Sequence, residues 1–307
     1  MIMHKKIYFF ILAFSALLLP HSIFASTAYI DTNHSEFFVG DTMLFSVRIN
    51  SENKDINTVE GEVSLDYSAG AVSLTDINTA GSKFSLWPGK PLPSEHSARI
   101  SFTGGSPGGF VSKDAIVFNI VLKLQKTGQI ILSPNNIGVY LNDGKGTKDE
   151  VSAKDLIINI LPKKPDAQSA DDWGAIISND KTAPEPFEII VGKDPSIFNG
   201  QYFISFFTTD AESGVAYYEV QEGKRDFIRT ESPYLLQDQT LSGIIKVKAV
   251  DKAGNERTTE LAPVPGIPYK TYLIWTIVAL VILAMVFWLW RLWKDKLRRI
   301  FNESRTK

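Results

Sequence analysis

The sequence contains no cysteine and only four histidines among 307 residues. The absence of cysteine excludes disulfides, thiol catalysis, cysteine-ligated zinc and iron–sulfur clusters. His4 and His21 lie in an N-terminal apolar segment, so only His34 and His96 remain for a folded region. Neither has the surroundings of a G-x-S-x-G hydrolase or an H-E-x-x-H metalloprotease motif. These absences predict that the chain is not an enzyme.

Basic charge is also scarce outside the two ends of the chain. Residues 1–25 carry two lysines and no acid, and residues 291–307 carry seven bases against two acids. The remaining residues, 26–270, have a net charge of −9. Such an acidic body is a poor match for a phosphate backbone. We therefore expect no nucleic-acid partner.

The N-terminal residues 1–25 have the layout of a secretory signal peptide. Lys5 and Lys6 precede a thirteen-residue apolar run that Pro20 ends, and a cleavage point lies before Ser26. The run is too short to span a bilayer comfortably. An uncleaved membrane anchor and a buried core helix are the alternatives to a signal peptide.

A second apolar segment, residues 271–290, contains no charged residue. As a helix, its twenty residues would cover about 30 Å, which is the thickness of the hydrocarbon core of a bilayer. Trp275 lies near one end, and Trp288 and Trp290 lie at the other. Amphipathic rings at both interfaces are typical of a transmembrane helix.

Arg291 opens a basic tail that runs through residues 291–307. Because positive charge flanks the cytoplasmic side of spanning helices, we expect a single-pass plasma-membrane protein with its N-terminus outside and its C-terminus in the cytoplasm. The tail is expected to continue as an amphipathic helix on the anionic inner leaflet, with the lipid bilayer as its partner. Residues 263–270, which are rich in proline, are expected to form a short stalk above the membrane.

Apolar and polar residues alternate with a period of two through most of residues 26–161. The clearest runs are 59–67 and 116–124, in which every second residue is apolar. Such strands bury one face and expose the other. Turn formers separate many of the runs, at 104–109, 133–136 and 142–146. About nine strands predict an all-β, two-sheet sandwich of jelly-roll type.

The segment that follows, residues 162–181, has few apolar residues and is predicted to be a linker. Trp173 and the pair Ile176–Ile177 are exceptions and are expected to dock on a neighbouring domain. Residues 182–262 contain six or seven short β-runs separated by turns. They predict a second, smaller β-sandwich of immunoglobulin-like type.

The first sandwich resembles the cohesin family, whose modules bind dockerins in cellulosome scaffolds and share a fold with certain cellulose-binding modules. Several segments in a consistent order carry this resemblance, namely Phe38–Thr42, Ile56–Asp66, Gly81–Trp87, Ile100–Gly105 and Asn142–Thr147. The resemblance implies a nine-stranded jelly roll with a dockerin-binding sheet face. The second sandwich resembles a bacterial immunoglobulin-like repeat, on the residues Asp180–Phe187, Asp210–Gly214 and Val250–Asn255.

Four residues are candidates for contact with a partner. Glu62, Ser64 and Asp66 lie on the polar side of one predicted strand, which in cohesins belongs to the face that receives the dockerin. A solvated outer face with no partner is the alternative. Trp87 is predicted to lie in a loop, where it could stack on a sugar ring or a protein; the alternative is that it folds back over the core.

Three acidic turns raise the question of calcium, at residues 142–146, 210–214 and 251–255. Calcium requires six to eight oxygen ligands, and each turn supplies few carboxylates. Side chains that cap turn amides are favoured over a calcium site, so we expect no cofactor. The glycine-rich residues 104–109 are not a phosphate loop, because strands flank them on both sides.

Non-catalytic recognition of an extracellular protein, dockerin-like in kind, is the function that these patterns favour. Polysaccharide binding through the same sandwich is the first alternative. A structural or adhesive surface stalk is the second alternative. A planar row of exposed aromatic rings would favour sugar, whereas a flat polar face would favour protein.

Overall fold

The computed structural model describes residues 25–94, 98–165, 168–263 and 269–303. Within them the chain forms two β-sandwiches, a short connecting helix and one long C-terminal helix. The predicted all-β fold class with one apolar C-terminal helix is confirmed. The predicted signal peptide falls outside the described residues apart from Ala25, and so does most of the predicted stalk.

Twelve strands form the first sandwich. They are β1 (Ser26–Asp31), β2 (Phe37–Phe38), β3 (Thr42–Asn50), β4 (Ile56–Tyr67), β5 (Val72–Asn78), β6 (Leu86–Pro93), β7 (Arg99–Phe110), β8 (Ala115–Leu124), β9 (Gly128–Leu141), β10 (Lys148–Asp149), β11 (Val151–Lys154) and β12 (Leu156–Leu161). One sheet has the order β11-β1-β3-β8-β5, and the other has the order β2-β12-β9-β4-β7-β6 with β10 paired to β9. The chain passes repeatedly between the two sheets, as in a jelly roll.

The core lies between the two sheets and is built around aromatic side chains. Phe45, Phe84 and Phe118 are each 0% exposed. The rings of Phe102 and Phe118 lie 5.0 Å apart, centroid to centroid, across the sandwich interior. Burying a side chain of this size stabilises a fold by roughly 1.5–3 kcal/mol. These rings therefore account for a large part of the stability of the domain.

The glycine-rich segment 104–109 is not the turn that the sequence predicted. It continues strand β7, and Gly104 and Gly105 pair with Val59 and Thr58 of β4. A Cβ atom on Gly104 would stand 2.6 Å from the ring of Trp87. These glycines therefore provide space for neighbouring side chains within the sheet and do not reverse the chain direction.

The predicted turn at residues 133–136 is also part of a strand, β9. At Pro134 only β4 flanks this strand, because β12 pairs with residues before it and β10 with residues after it. The missing N–H of Pro134 can therefore affect the pairing with β4 only. The positive φ of 52° at Asn136 and the register shift between Glu60 and Glu62 mark a β-bulge here.

The predicted linker is partly structured where residues 168–181 are described. Helix α1 (Asp172–Asn179) begins with Asp171 as its N-cap, whose side chain accepts from the Gly174 amide over 2.9 Å. Trp173 is only 7% exposed, which confirms that it docks. The Thr42 amide also donates to the Ala170 carbonyl over 2.8 Å. We call residues 168–181 the connector. It lies along strand β3, because the buried Trp173 side chain and the capped helix hold it in place despite its polar composition.

Seven strands form the second sandwich. They are β13 (Ile189–Asp194), β14 (Ile197–Phe206), β15 (Val215–Glu222), β16 (Ile228–Thr230), β17 (Tyr234–Leu235), β18 (Ile245–Asp251) and β19 (Glu256–Leu261). The sheets have the orders β13-β14-β17 and β16-β15-β18-β19. The first, second and fifth strands thus share one sheet. This order agrees with an immunoglobulin-like sandwich, which stays a prediction for this domain.

The two sandwiches contact each other directly. The Gly81 amide donates to the Asp210 carbonyl over 3.0 Å, and Lys252 forms an ion pair with Asp76. The Lys252 ammonium also lies 5.4 Å from the centre of the Trp173 ring on helix α1. The first sandwich, the connector and the second sandwich therefore meet at one junction.

Helix α2 (Tyr269–Glu303) contains the predicted membrane segment. An 18-residue window within Tyr272–Lys294 has a mean hydropathy of 2.6, so this helix is long and apolar enough to cross a membrane. Trp275 and Trp288 are 67% and 60% exposed, and their positions are about 20 Å apart along the axis. Trp290 lies beside Trp288 and carries the Lys294 ammonium 4.9 Å above its ring. The helix continues through Arg291, as predicted, into the basic tail.

Candidate partner-binding face

The three predicted polar residues of β4 lie on one side of the second sheet. Val63, between Glu62 and Ser64, is 0% exposed and points into the core. Side chains on either side of it must therefore point outward, since neighbours in a strand alternate. Strand β4 pairs with β9 on one side and β7 on the other, so this row lies in the middle of the sheet. The structure brings Glu62, Ser64 and Asp66 together as the alternation predicted.

Side chains from the flanking strands hold most of this row in place. The Asn135 amide of β9 donates to the Ser64 hydroxyl over 2.7 Å. The Arg99 guanidinium of β7 lies 3.5 Å from the Glu62 carboxylate. Hydrogen-bonded side chains on a sheet lose little conformational freedom when they bind a partner. Asp66 is exposed at the end of the row.

Two further residues belong to this face and were not predicted. The hydroxyl of Tyr140 on β9 donates to the Glu60 carboxylate over 2.6 Å. This hydrogen bond to a carboxylate raises the pKa of Tyr140 above its ordinary value. Glu60 continues the alternation of Glu62 and Ser64, so the pattern contained the signal for it. Tyr140 carried no such signal, because its distance from Glu60 in sequence hides the pairing of β4 with β9.

We call this surface the acidic face, and its residues are Glu60, Glu62, Ser64, Asp66, Arg99, Asn135 and Tyr140. Three carboxylates face one guanidinium on it, so its net charge is negative. Carboxylate oxygens accept hydrogen bonds from lysine, arginine and backbone N–H groups. The face can therefore recognise a basic or donor-rich surface.

Trp87 does not lie on the acidic face. It belongs to strand β6 and not to a loop, and its ring meets the Phe84 ring edge-on at 5.6 Å between centroids. The side chain packs against the core while one edge lines a cavity toward the second sandwich. The predicted alternative, that Trp87 covers the core, describes its location better than an exposed platform.

Of the two histidines that the sequence leaves for a folded region, His34 lies within the described residues and His96 lies outside them. Its Nε2 atom lies 2.9 Å from the Asp172 carboxylate at the start of helix α1. This contact joins the connector to the first sandwich. The hydrogen bond to Asp172 accounts for the position of the His34 side chain.

The acidic turns of the second sandwich form a cluster with the connector. Carboxylate oxygens of Asp180, Asp210 and Asp251 lie within 4.8 Å of one another, and the three residues are 0%, 2% and 2% exposed. Backbone amides donate to them, among which the Gly214 amide reaches Asp210 over 2.7 Å and the Asn255 amide reaches Asp251 over 2.8 Å. Burial, with the nearby Asp180 and Asp251, raises the pKa of Asp210.

These contacts agree with the predicted capping role of Asp210 and Asp251. A hard cation such as Ca²⁺ could also share three carboxylates at this spacing. Sequence reasoning missed Asp180, because its linker-like surroundings gave no sign that it would close on the two turns. The Asn142–Gly146 turn is a hairpin loop in which Asp143 accepts from the Lys145 amide over 2.8 Å.

The charge crowding predicts that replacing Asp210 with asparagine stabilises the metal-free protein at pH 7. The amide oxygen of Asp210→Asn can still accept the backbone hydrogen bonds while the repulsion disappears. We expect a gain of about 1 kcal/mol in the free energy of unfolding. Urea denaturation of the full chain in detergent and chelator, followed by circular dichroism, measures it.

The gain should depend on pH with a definite sign. Because the pKa of Asp210 is raised, the folded state holds its proton more tightly than the unfolded chain does. The stability from this group is present below its ordinary pKa of 3.8 and is lost as the pH rises through the raised value. Wild type and Asp210→Asn should therefore converge at pH 3. A wild type that is more stable than the variant in chelator at pH 7 would contradict the prediction.

Comparisons with known proteins concern the first sandwich. No protein-family model matches the chain, and no curated protein matches it. A non-cellulosomal cohesin from the archaeon Archaeoglobus fulgidus matches in structure with 16% identity and a TM-score of 0.36, over 45% of this chain and 92% of its own. A cohesin module of a Clostridium perfringens family 33 glycoside hydrolase matches with 16% identity and a TM-score of 0.38, over 45% of this chain and 98% of its own.

A third match is the third ScaB cohesin of R. flavefaciens in complex with a group 1 dockerin. Its identity is 16% and its TM-score 0.34, over 44% of this chain and 94% of its own. The matched modules are cohesins, the family that the sequence resembles.

Proposed function

We propose that this chain is a membrane-anchored surface protein whose first sandwich binds an extracellular protein without catalysis. The observation that carries the proposal is the acidic face, where hydrogen bonds and an ion pair hold the Glu60 and Glu62 carboxylates on the middle strands of a sheet. A polar sheet surface suits a protein partner better than a small molecule. The face offers acceptors and charge and holds no described histidine, which agrees with recognition as its role.

The resemblance of residues 26–161 to cohesins makes a dockerin-like module the first candidate partner. Charge complementarity adds a requirement of its own. The partner should present lysine or arginine side chains, or exposed N–H groups, opposite Glu60, Glu62 and Asp66. Electrostatic attraction of this kind mainly speeds association and fixes the orientation of the complex.

The C-terminal helix supports the rest of the proposal. Its apolar residues Tyr272–Lys294 suit a membrane anchor by length and composition. Arg291 and the bases after it favour a cytoplasmic C-terminus, with both sandwiches outside. The second sandwich would then act as a spacer between the acidic face and the bilayer.

Neutralising the acidic face tests the binding proposal. The full chain in detergent micelles serves as bait for proteins secreted by the source organism, and the captured protein is then titrated by calorimetry. We expect the double variant Glu62→Gln, Asp66→Asn to weaken binding of the captured protein about tenfold or more, because charge-assisted hydrogen bonds are lost. Glu188→Gln, an exposed carboxylate on the second sandwich, is the matched control and should leave affinity unchanged.

Equal affinity of wild type and double variant for every captured protein would refute the acidic face as the binding site. The failure of Glu188→Gln as a control would point to a nonspecific charge effect. The same comparison at higher salt separates direct contact from a nonspecific charge effect. Interactions between exposed charges more than about 10 Å apart are largely screened at 0.1 M ionic strength, whereas direct contacts are screened less.

A further inference from the structure

A cavity of about 460 Å³ lies between the two sandwiches, away from the acidic face. The first sandwich contributes Trp87, Lys90 and Leu92, and the second contributes Tyr217 and Arg229. Small-ligand sites have volumes of about 300–1,000 Å³, occur at domain interfaces and combine aromatic walls with a few polar groups. This cavity meets each of these conditions.

Trp87 brings an aromatic ring to this cavity. The ring is fixed in place by Gly104 beneath it and by the Phe84 ring at its edge. A rigid aromatic ring offers a surface on which the apolar side of a ligand can pack.

The cavity also carries an excess of positive charge. Lys90 is paired with Glu231 over 3.2 Å, and Lys252 is paired with Asp76. Arg229 differs from both, because its guanidinium lies 4.1 Å over the Tyr217 ring and no described carboxylate lies within ion-pair distance. A guanidinium that rests on an aromatic ring can still present N–H donors to a carboxylate.

We propose that this cavity binds the carboxylate-bearing unit of an acidic oligosaccharide. The carboxylate pairs with Arg229, which rests on the Tyr217 ring, and the apolar side of the sugar packs on the ring of Trp87. A saccharide suits the cavity because its ring supplies both an apolar side and oxygen acceptors. The site is separate from the acidic face and does not depend on the function proposed for it.

Calorimetry with the full chain in detergent micelles tests this inference. The probe is a trimer of galacturonic acid, and its fully methyl-esterified form is the neutral control. We expect binding of the acid and at least tenfold weaker binding of the ester, because esterification removes the charge that Arg229 recognises.

Two variants locate the site. Arg229→Gln should weaken binding about tenfold or more, and Tyr217→Leu, which removes the ring on which the guanidinium rests, should weaken it a few-fold. Arg225→Gln is the matched control, since this exposed arginine lies four positions earlier and bonds to Gln237 outside the cavity. The control should bind the acid as wild type does.

Several results would overturn the inference. They are the absence of binding to the acidic trimer, equal binding of acid and ester, or an equal loss in Arg225→Gln and Arg229→Gln. Tetraglutamate is included as a competitor, and tighter binding of this acidic peptide than of the trimer would reassign the cavity to a polypeptide ligand. Urea denaturation of each variant confirms that its fold is intact before the titration is interpreted.

Discussion

A chain of residues 26–262 is expected to lose membrane association completely. The truncation removes helix α2 and with it the apolar stretch Tyr272–Lys294. Insertion of a helix of this length and hydropathy is effectively irreversible, whereas the acidic sandwiches have no comparable affinity for an anionic bilayer. Flotation of reconstituted liposomes measures the effect: the full chain should rise with the lipid, and the truncated chain should stay below.

The control for this experiment is a chain that ends at Lys294. It keeps the apolar stretch and the aromatic residues at its two ends, and it should float with the lipid. Flotation of the Ala262 truncation, or sedimentation of the Lys294 truncation, would contradict a membrane-spanning helix. Protease treatment of intact cells then tests orientation, because outward-facing sandwiches should be cleaved from the surface.

The second large effect is expected in the core of the first sandwich. Phe118 is 0% exposed and contacts Phe102 between the two sheets. Its replacement by alanine leaves a cavity that neighbouring strands cannot close, at a cost of about 3–5 kcal/mol. This loss is a large fraction of the stability of a typical domain, which is about 5–15 kcal/mol.

Urea denaturation of the full chain in detergent, followed by circular dichroism, measures the loss in Phe118→Ala. Ile157→Ala is the control, since Ile157 lies on the same sandwich but is 57% exposed. Its stability should stay within about 0.5 kcal/mol of wild type. Equal losses in the two variants would show that Phe118 does not occupy a tightly packed core.

The strands that the sequence revealed best are those whose apolar residues recur with a period of two. The structure places β4 and β8 in sheets as predicted, but the expected exposed face is wrong for β8, where Val117, Asn119 and Val121 are 1%, 3% and 0% exposed. The outward position of Glu62, Ser64 and Asp66 follows from the same alternation. A period depends only on nearby residues, so it can be recognised without any knowledge of the tertiary structure.

The errors in the first sandwich come from residues whose surroundings are distant in sequence. Gly104 and Pro134 were predicted to lie in turns because glycine and proline usually interrupt strands. In the fold, Gly104 leaves space for the Trp87 ring, and Pro134 lies where β9 has a neighbouring strand on one side only. The predicted number of about nine strands agrees with the nine observed strands of six or more residues in the first sandwich. The agreement is partly fortuitous, because the turn predicted at 133–136 would have divided β9 into two strands.

The cluster of three buried aspartates was not predicted for the same reason, since its members are distant in sequence. Asp180, Asp210 and Asp251 come from the connector and two separate turns. Each turn could be predicted from its Asp and Gly residues, but only the packed structure brings the three carboxylates together. The cavity between the sandwiches is likewise invisible in the sequence, because it exists only where two domains meet.

The connector also determines how the molecule would respond to tension. A partner held on the acidic face and drawn away from the cell would load the chain through β12, the connector and the second sandwich in series. Between these elements, the bonds of Ala170 with Thr42 and of Asp172 with His34 run alongside β3. These bonds would have to shear before the connector could extend, so the protein would resist the first part of a pull as a stiff rod and lengthen only afterwards.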